Sequence, residues 1–237
     1  MSGRVLVVIP CWNEARNLGE VVRELRATRG GDHVLVVDDG STDGTSAVAR
    51  DLGCRVVELP LHLGYGAAVQ AGVKYGLRRR YAAVVTFDGD GQHDPADIGP
   101  LLEAVAAGAD LALGSRFLAD GSYRGGLSRR TGRAVFSLLS RALTGLALTD
   151  PTSGLKALGG RGQALFALAH FPDRFPDADA LVLARRSRLV VAERPAHMRR
   201  SLNRASMHGG TRAVAYTFNM LLSLLVAAFG READLRG

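Results

Sequence analysis

The first half of the chain alternates short apolar runs with amphipathic stretches, and this alternation constrains the fold more than any other feature. The apolar runs are too short for helices and are apolar on both faces, which is typical of strands buried in a parallel sheet. They cover Arg4–Ile9, His33–Val37, Arg55–Leu59, Ala83–Phe87 and Asp110–Leu113. The stretches between them predict helices at about Ala15–Thr28, Thr45–Leu52, Tyr65–Arg80 and Pro95–Ala107. The pattern predicts an α/β fold, a doubly wound, mostly parallel twisted sheet flanked by helices, with its ligand site at the carboxyl ends of the strands.

Composition excludes several classes of protein. Hydrophobic residues make up 47% of the 237 residues and charged residues 22%, values that exclude disorder as the main state. Aromatic residues are only 6% of the chain, so stacking on single-stranded nucleic acid is poorly supplied and we expect no nucleic-acid partner. The two cysteines form no CxxC pair, and the N-terminus lacks a signal-peptide pattern. We therefore expect a cytoplasmic protein.

The charge pattern points to an anionic surface near the C-terminus. The net charge is +7, and Arg199, Arg200, Arg204 and Arg212 crowd just before an uncharged stretch of 18 residues, Ala213–Gly230. Such a segment favours phospholipid headgroups as the partner. Three readings remain open for it: a buried core helix, an amphipathic helix lying in the membrane surface, and a membrane span. We accordingly divide the chain into a catalytic domain, 1–200, and a basic, apolar segment, 201–237, which either belongs to the same domain or contacts a membrane or a partner.

The strongest chemical motif, FDGDGQHDP, follows the fourth predicted strand. Alternate residues of an extended segment point the same way, so Asp88 and Asp90 can direct two carboxylates to one point, with the Gln92 amide beside them. Hard oxygen ligands of this kind suit Mg²⁺ or Mn²⁺ that also carries phosphate oxygens. His93 is a secondary candidate ligand. In the same motif, Asp94, Pro95 and Asp97 have the spacing of helix-capping residues and are assigned to that role.

Two further acidic motifs follow the first and second predicted strands. In VVDDGSTDGT, Asp38 and Asp39 fall where the sheet opens, and one carboxylate there can accept hydrogen bonds from a nucleobase or a ribose hydroxyl. In IPCWNEARN, Pro10 ends the first strand, and Glu14 is either a cap-region carboxylate or a base contact. The chain has no GxxxxGK[ST] motif, and its glycine-rich stretch HLGYGAAVQAG follows the third strand rather than the first. A P-loop ATPase and a nicotinamide-dependent dehydrogenase are thereby disfavoured.

Five motifs in order, VVIPCWNE, VVDDGSTDGT, HLGYGAAVQAG, FDGDGQHDP and LGSRF, resemble the family 2 glycosyltransferases of the GT-A fold. The branch that they resemble is that of the dolichol- and polyprenol-phosphate hexose synthases. The resemblance runs from about Val5 to Arg200. This chain departs from the family pattern at His62, where an asparagine is usual, and at Leu155, where a phenylalanine is usual.

The resemblance implies a role for each motif. It implies that Asp38 holds the base of a nucleoside diphosphate, and that Asp88, Asp90 and Gln92 place a divalent metal ion, Mg²⁺ or Mn²⁺, on the donor pyrophosphate. The implied nucleotide-binding residues are Pro10, Asn13, Glu14, Asp38, Asp39, Gly66, Asp88 and Gly89. Those implied for the acceptor are Arg116, Arg130, Asp150 and Ser153. The implied catalytic residues are Asp90, Arg116, Arg130, Asp177 and Asp179, the last two standing where relatives with hydroxyl acceptors often keep an acidic base.

The resulting expectation is an inverting hexosyltransferase that moves a sugar from UDP- or GDP-hexose to polyprenyl phosphate at the inner face of the membrane. A membrane surface or a small membrane-protein partner is expected to assist. One alternative is transfer to a saccharide hydroxyl in cell-wall or surface-polysaccharide synthesis, which would need a general base. The other is a non-catalytic subunit that binds nucleotide sugars.

Overall fold

The structure, a computed structural model, describes residues 3–118, 148–168 and 178–199. Its seven strands are β1 (Val5–Cys11), β2 (His33–Asp38), β3 (Arg55–Glu58), β4 (Ala83–Thr86), β5 (Leu111–Ser115), β6 (Lys156–Leu158) and β7 (Val191–Pro195). The helices are α1 (Ala15–Thr28), α2 (Thr45–Asp51), α3 (Tyr65–Arg78), α4 (Ile98–Ala106), α5 (Gly160–Phe166) and α6 (Ala178–Arg186), and a 3₁₀ turn, Pro95–Asp97, precedes α4. The five predicted strands and four predicted helices of the first half are confirmed to within two residues at each end, except that α4 begins three residues after the predicted Pro95, which opens the 3₁₀ turn instead.

All seven strands form one sheet in the order β3-β2-β1-β4-β6-β5-β7. The first four strands in this order run parallel, as do β5 and β7. Strand β6 lies between β4 and β5 and is antiparallel to both, with Ala157 opposite Val85 on one side and Ala112 on the other. The mostly parallel sheet is therefore confirmed, with one reversed strand that the sequence did not predict.

Alternate residues of the central strands supply two separate cores, one on each face of the sheet. Val5, Val7 and Ile9 of β1 pack with α1 and α4 on one face, whereas Leu6 and Val8 pack with α3 on the other. Helix α3 approaches the second face closely because Gly72 has no side chain there: a Cβ at that position would lie 2.2 Å from Val8 Cγ1. This double-sided burial is the reason that the strand sequences are apolar at successive positions.

Two details of the sequence-based prediction are wrong. Strand β3 is the edge of the sheet, and its ends, Arg55 and Glu58, are exposed, so it is not a buried strand. Asp94 does cap the 3₁₀ turn, since its side chain accepts from the Ala96 N–H at 3.0 Å. Asp97 stands at the N-cap position of α4, but its side chain makes no capping hydrogen bond. It is buried, and its carboxylate accepts from the backbone N–H of His197 at 2.6 Å and lies 2.8 Å from His197 Nδ1.

No helix within the described ranges is both long enough and apolar enough to cross a bilayer. The apolar segment 213–230 and three of the four clustered arginines, Arg200, Arg204 and Arg212, lie outside the described residues. The fourth, Arg199, forms ion pairs with Glu24 at 2.7 Å and with Asp94 at 2.8 Å. The role of segment 201–237 and the proposed division of the chain at residue 200 remain predictions.

Candidate active site

The acidic motifs meet at the carboxyl edge of the parallel strands. Because β1 lies between β2 and β4, the residues that follow these three strands share one edge of the sheet. Glu14 follows β1, Asp38 ends β2, and Asp88 and Asp90 follow β4. The predicted convergence of these carboxylates at one edge is thus present in the fold.

Asp88 is held on both carboxylate oxygens. The Tyr65 hydroxyl donates to Oδ1 at 3.0 Å, and His93 Nε2 lies 3.0 Å from Oδ2. Burial on its own would raise the pKa of Asp88, but the hydrogen bond and charge of His93, followed by the Tyr65 hydroxyl and the charge of Lys156, lower it below its ordinary value. The carboxylate is therefore ionised and fixed in orientation. His93 is buried, and its Nδ1 has no hydrogen-bond partner among the described residues.

In contrast, hydrogen bonds only partly offset the cost of burying the neighbouring carboxylates, Asp90 and Glu14. Burial, followed by the charge of Asp88, raises the pKa of Asp90, whose Oδ1 accepts from the Gln92 N–H at 3.0 Å. Burial also raises the pKa of Glu14, with contributions from Asp90 and Asp88, although Asn17 donates to its Oε2 at 2.6 Å. Desolvated carboxylates that repel one another are stabilised by a bound cation.

Mg²⁺ and Mn²⁺ prefer carboxylate and amide oxygens, so the side-chain types of Asp88, Asp90 and Gln92 suit these ions. Within residues 3–118, 148–168 and 178–199, however, no group of three or more His, Cys, Asp or Glu side chains is arranged to hold a metal ion. A metal ion held by Asp88 and Asp90 would therefore need further oxygen ligands, and metal binding here stays a prediction.

The two aspartates at the end of β2 hold the loops around the site. Asp38 is buried, and its carboxylate accepts from the Ser41 N–H at 2.9 Å and from the Ser46 hydroxyl. Asp39 accepts from the N–H groups of Leu63, at 2.7 Å, and Gly64, at 2.8 Å, which fixes the loop before α3. Asp39 therefore has a structural role that the sequence did not predict, and contact of either residue with a nucleotide stays a prediction.

The other residues predicted to bind nucleotide line the same edge. Asn13 adopts a left-handed conformation with φ of 57°, and its Oδ1 accepts from the Thr42 N–H at 2.9 Å. Pro10 is buried in β1, and Gly66 is buried in the first turn of α3. Gly89 lies beside β1, where an added Cβ would come within 3.2 Å of Cys11 Sγ.

An aromatic pair at this edge was not assigned any role from the sequence. The rings of Trp12 and His62 stack with centroids 4.3 Å apart and planes 18° from parallel, and His62 Nδ1 lies 2.8 Å from Asp39 Oδ2. About half of each side chain is exposed. The departure of His62 from the family pattern was the available signal that this loop has its own local structure.

Three of the four predicted acceptor residues, Arg116, Asp150 and Ser153, form a second cluster after β5. Arg116 binds the Asp150 carboxylate in a bidentate manner, with Nε and Nη2 each 2.6 Å from one oxygen, and Nη2 also donates to the Thr152 hydroxyl at 2.8 Å. Asp150 is completely buried, and so is Ser153 apart from 1% of its surface. Asp150 therefore orients Arg116, while Ser153 lies inside the loop.

The side chains of three predicted catalytic residues lie outside the described part of the chain. Arg130 and Asp177 lie outside the described residues. Asp179 belongs to α6, but its side chain also lies outside them. Their assignments as acceptor-binding residue and as candidate bases remain predictions.

One loop links the acidic cluster to the arginine. Residues 149–154 carry Asp150 at one end and Gly154 at the other, and an added Cβ on Gly154 would lie 2.4 Å from Asp88 Oδ2. Thr86, at the end of β4, donates its hydroxyl proton to the Gly154 carbonyl at 2.6 Å. The loop therefore packs directly on the Asp88 carboxylate.

Comparison with known proteins identifies the family. Residues 6–154 match the family described as Glycosyl transferase family 2, which is more than half of the chain. The chain belongs to this family. The resemblance drawn from the five sequence motifs is thereby confirmed.

Two curated members of the family share substantial identity with this chain. It is 42% identical over 161 residues to the polyprenol monophosphomannose synthase of Mycolicibacterium smegmatis, a stretch that covers 65% of this chain and 61% of that protein. It is 39% identical over 160 residues to the undecaprenyl-phosphate mannosyltransferase of Micrococcus luteus, which covers 65% of each. The match thus spans a little under two thirds of the length of these two relatives.

A solved structure with the same architecture is that of glucosyl-3-phosphoglycerate synthase from Mycobacterium tuberculosis, in complex with Mn²⁺, uridine diphosphate and glucosyl-3-phosphoglycerate. The TM-score is 0.72 at 22% identity, over 98% of this chain and 82% of the other. At this identity the likeness concerns the fold alone. It confirms the α/β sheet flanked by helices that is expected of a GT-A glycosyltransferase.

Proposed function

We propose that this protein transfers a hexose from a UDP- or GDP-sugar to polyprenyl phosphate, in a metal-dependent reaction that inverts the anomeric centre. The names of the two mannosyltransferase relatives support a polyprenyl phosphate acceptor. The observation that carries the proposal is the loop 149–154, which packs against Asp88 at one end and binds Arg116 at the other. One short loop thereby connects the carboxylate cluster with the guanidinium, an arrangement that suits transfer between a diphosphate and a phosphate.

On the donor side, Asp88, Asp90 and Gln92 would hold Mg²⁺ or Mn²⁺. When bound, the ion neutralises charge on the departing diphosphate. Tyr65 and His93 keep Asp88 ionised and oriented before any ligand arrives, so no reorganisation of this carboxylate is needed during the reaction. The raised pKa values of Asp90 and Glu14 are consistent with a site that is completed by a cation.

The nucleoside would lie at the ends of β1 and β2. We assign it to Asp38 together with Pro10, Asn13 and Glu14, while Asp39 acts indirectly by fixing the loop before α3. Gly89 lies where a side chain would crowd this edge of the sheet, and Gly66 is buried in the first turn of α3.

On the acceptor side, Arg116 would bind the phosphate of the polyprenyl phosphate and hold it in line with the donor. A phosphate is already anionic at neutral pH, so no strong general base is needed. Arg130 is proposed to assist Arg116, and Asp177 and Asp179 would be dispensable. A saccharide hydroxyl as acceptor would instead make one of these two aspartates essential.

We further propose that the protein works in the cytoplasm, bound peripherally to the inner face of the membrane. Its acceptor would be embedded there, and the arginines and apolar residues of segment 201–237 suit a membrane surface or a small membrane-protein partner.

The test is a mass-spectrometric transfer assay. Purified protein, Mn²⁺ and a short polyprenyl phosphate are incubated with a panel of UDP- and GDP-hexoses, and Asp90→Asn serves as an isosteric control that lacks one carboxylate. We expect one donor to give a polyprenyl-phosphate hexose, with product formation abolished by EDTA and by Asp90→Asn. The anomeric configuration of the product, measured by NMR, then tests inversion.

Other outcomes contradict the proposal in distinct ways. Transfer only to a saccharide, lost in Asp177→Asn or Asp179→Asn, would establish a hydroxyl acceptor. Tight binding of a nucleotide sugar without turnover on any acceptor would indicate a non-catalytic subunit. Undiminished activity in EDTA would refute the metal dependence.

A further inference from the structure

A carboxylate on β7, Glu193, anchors the loop 149–154. Its Oε1 and Oε2 lie 2.9 and 2.8 Å from the backbone N–H of Thr149, and Oε1 also accepts from the N–H of Asp150 at 2.9 Å. The Thr149 hydroxyl lies 3.3 and 3.2 Å from the same two oxygens. Charge-assisted hydrogen bonds to two consecutive backbone N–H groups fix the path of the chain at this point.

The anchor and the predicted phosphate-binding arginine belong to one rigid unit. Strands β5 and β7 are paired in parallel, with Leu113 opposite Glu193 and Ser115 opposite Pro195. Arg116 follows β5 directly, and the Ser115 hydroxyl lies 2.6 Å from that of Thr149. The same pair of strands therefore sets the position of Glu193 and the origin of the Arg116 side chain.

The orientation of the Arg116 guanidinium depends on this anchor through Asp150. The Asp150 carboxylate binds Arg116 Nε and Nη2 and also accepts from the Arg116 N–H at 3.1 Å. Asp150 is fully buried and donates its own N–H to Glu193, so Glu193 holds the backbone from which the Asp150 carboxylate extends. Without Glu193, two backbone N–H groups lose a charged acceptor and the Asp150 carboxylate is released to shift, together with the guanidinium that it binds.

We propose that Glu193 is a positioning residue for the acceptor phosphate: it holds Thr149 and Asp150, and Asp150 orients Arg116. This inference rests on the proposed function, in which Arg116 binds the acceptor. Glu193 lies beyond residue 154, where the family match ends. It belongs to the acceptor half of the site and has no contact with the acidic cluster among the interactions described for it.

The test is Glu193→Gln, which keeps the size of the side chain but replaces one acceptor oxygen with an NH₂ group that faces N–H donors. We expect kcat/KM for polyprenyl phosphate to fall by about 10- to 100-fold, because a displacement of about 1 Å at a positioned group has effects of this size. The Kd for the nucleotide sugar with Mn²⁺ should be unchanged. Glu103→Gln, on the exposed surface of α4, is the matched control and should alter neither quantity. Circular dichroism and thermal unfolding verify that each variant is folded.

A double-mutant cycle separates positioning from general destabilisation. If Glu193 acts through Arg116, then adding Glu193→Gln to Arg116→Ala should cause no further loss of kcat/KM. Losses that multiply would overturn the proposal, as would an equal loss of donor affinity in Glu193→Gln or unchanged acceptor kinetics. Should Arg116→Ala fail to fold, Arg116→Lys replaces it in the cycle.

A binding measurement distinguishes failure of this inference from failure of the proposed function. Calorimetric titration with geranyl phosphate, in the presence of Mn²⁺ and, in separate experiments, UDP and GDP, requires no turnover. If the wild-type protein makes no lipid-linked product from any donor, the proposed function fails, and the titration still decides the role of Glu193. Weaker binding in Glu193→Gln than in the wild type and in Glu103→Gln supports the proposal. Equal binding in all three, or no binding by the wild type, overturns it.

Discussion

Gly154→Ala tests the close packing of the loop 149–154 on the Asp88 carboxylate. The added Cβ would lie 2.4 Å from Asp88 Oδ2 and 3.0 Å from Oδ1, whereas ordinary van der Waals contact begins at 3.4 Å. Asp88 is tied by Tyr65 and His93, and Gly154 is tied through its carbonyl to Thr86. Neither side of the contact can yield without loss of a hydrogen bond.

The size of the effect follows from this geometry. Relief of the contact requires a separation of about 1 Å, and crowding of this kind in a packed site costs about 1–3 kcal/mol. For a chain of this length, that cost lowers the Tm by about 3–10 °C. A displacement of about 1 Å at Asp88 should also reduce turnover by about 100-fold.

Thermal unfolding and the transfer assay measure the two effects independently. Gly99→Ala, in α4, is the matched control, because an added Cβ there meets no atom within 4 Å. Since alanine favours a helix over glycine, this control should leave Tm unchanged or raise it slightly, with full activity. If Gly154→Ala has the Tm and turnover of the wild-type protein, both the expected clash with Asp88 and the assigned position of the loop are refuted.

Three further predictions concern titratable groups. Asp90→Asn should raise Tm by a few degrees in EDTA, because it removes a partly buried charge repelled by Asp88 yet keeps an acceptor for Gln92, and an unchanged or lower Tm would contradict this. Burial raises the pKa of Glu14 and of Asp90. When the pH is lowered from about 8, the affinity for Mn²⁺ should therefore begin to fall at a pH above that at which ordinary carboxyl groups take up protons. A loss of affinity confined to the ordinary carboxyl range would count against the site. The hydrogen bond and charge of Asp97 raise the pKa of His197, so this pair stabilises the fold fully below the ordinary histidine pKa and loses that effect as pH rises through the raised one. In urea unfolding, His197→Ala should therefore lower the free energy of unfolding by a few tenths of a kcal/mol more at about pH 5.5 than at about pH 8.5. The difference is small because the His197 side chain is 61% exposed. Equal losses of free energy at the two pH values would exclude the charge effect.

The elements of the first half were predicted well because each has a regular hydrophobic pattern and is bounded by turn residues. The sequence-based prediction missed β6 because three residues, Lys156–Leu158, are too few to show a period. It missed β7 because VAERP contains two charged residues, and the parallel partner of β7 is distant in sequence. The position of a strand at the edge of a sheet likewise leaves no reliable pattern in its own sequence, so β3 was expected to be buried.

The sequence predicted which residues belong to the candidate site but not the contacts between them. The motifs indicated which carboxylates converge at the sheet edge, since the ends of parallel strands share that edge. They did not indicate that Asp39 binds the loop before α3, that Tyr65 and His93 hold Asp88, or that Asp150 binds Arg116. Apart from the local contact of His93 with Asp88, each of these contacts joins residues that lie more than 20 positions apart and meet only in the fold, and a single sequence carries no pairing information of that kind.

The reversed strand β6 has a consequence for how this protein is made. Strands β4 and β5 follow each other along the chain, yet they are held apart by a strand that the ribosome delivers more than 40 residues after β5. A nascent chain that ends before Lys156 has β4 and β5 without the strand that joins them, whereas β1 to β4 already have their mutual partners. Synthesis therefore delivers strands β1 to β4 together, and we expect β5, β6 and β7 to complete the sheet in a late, long-range step.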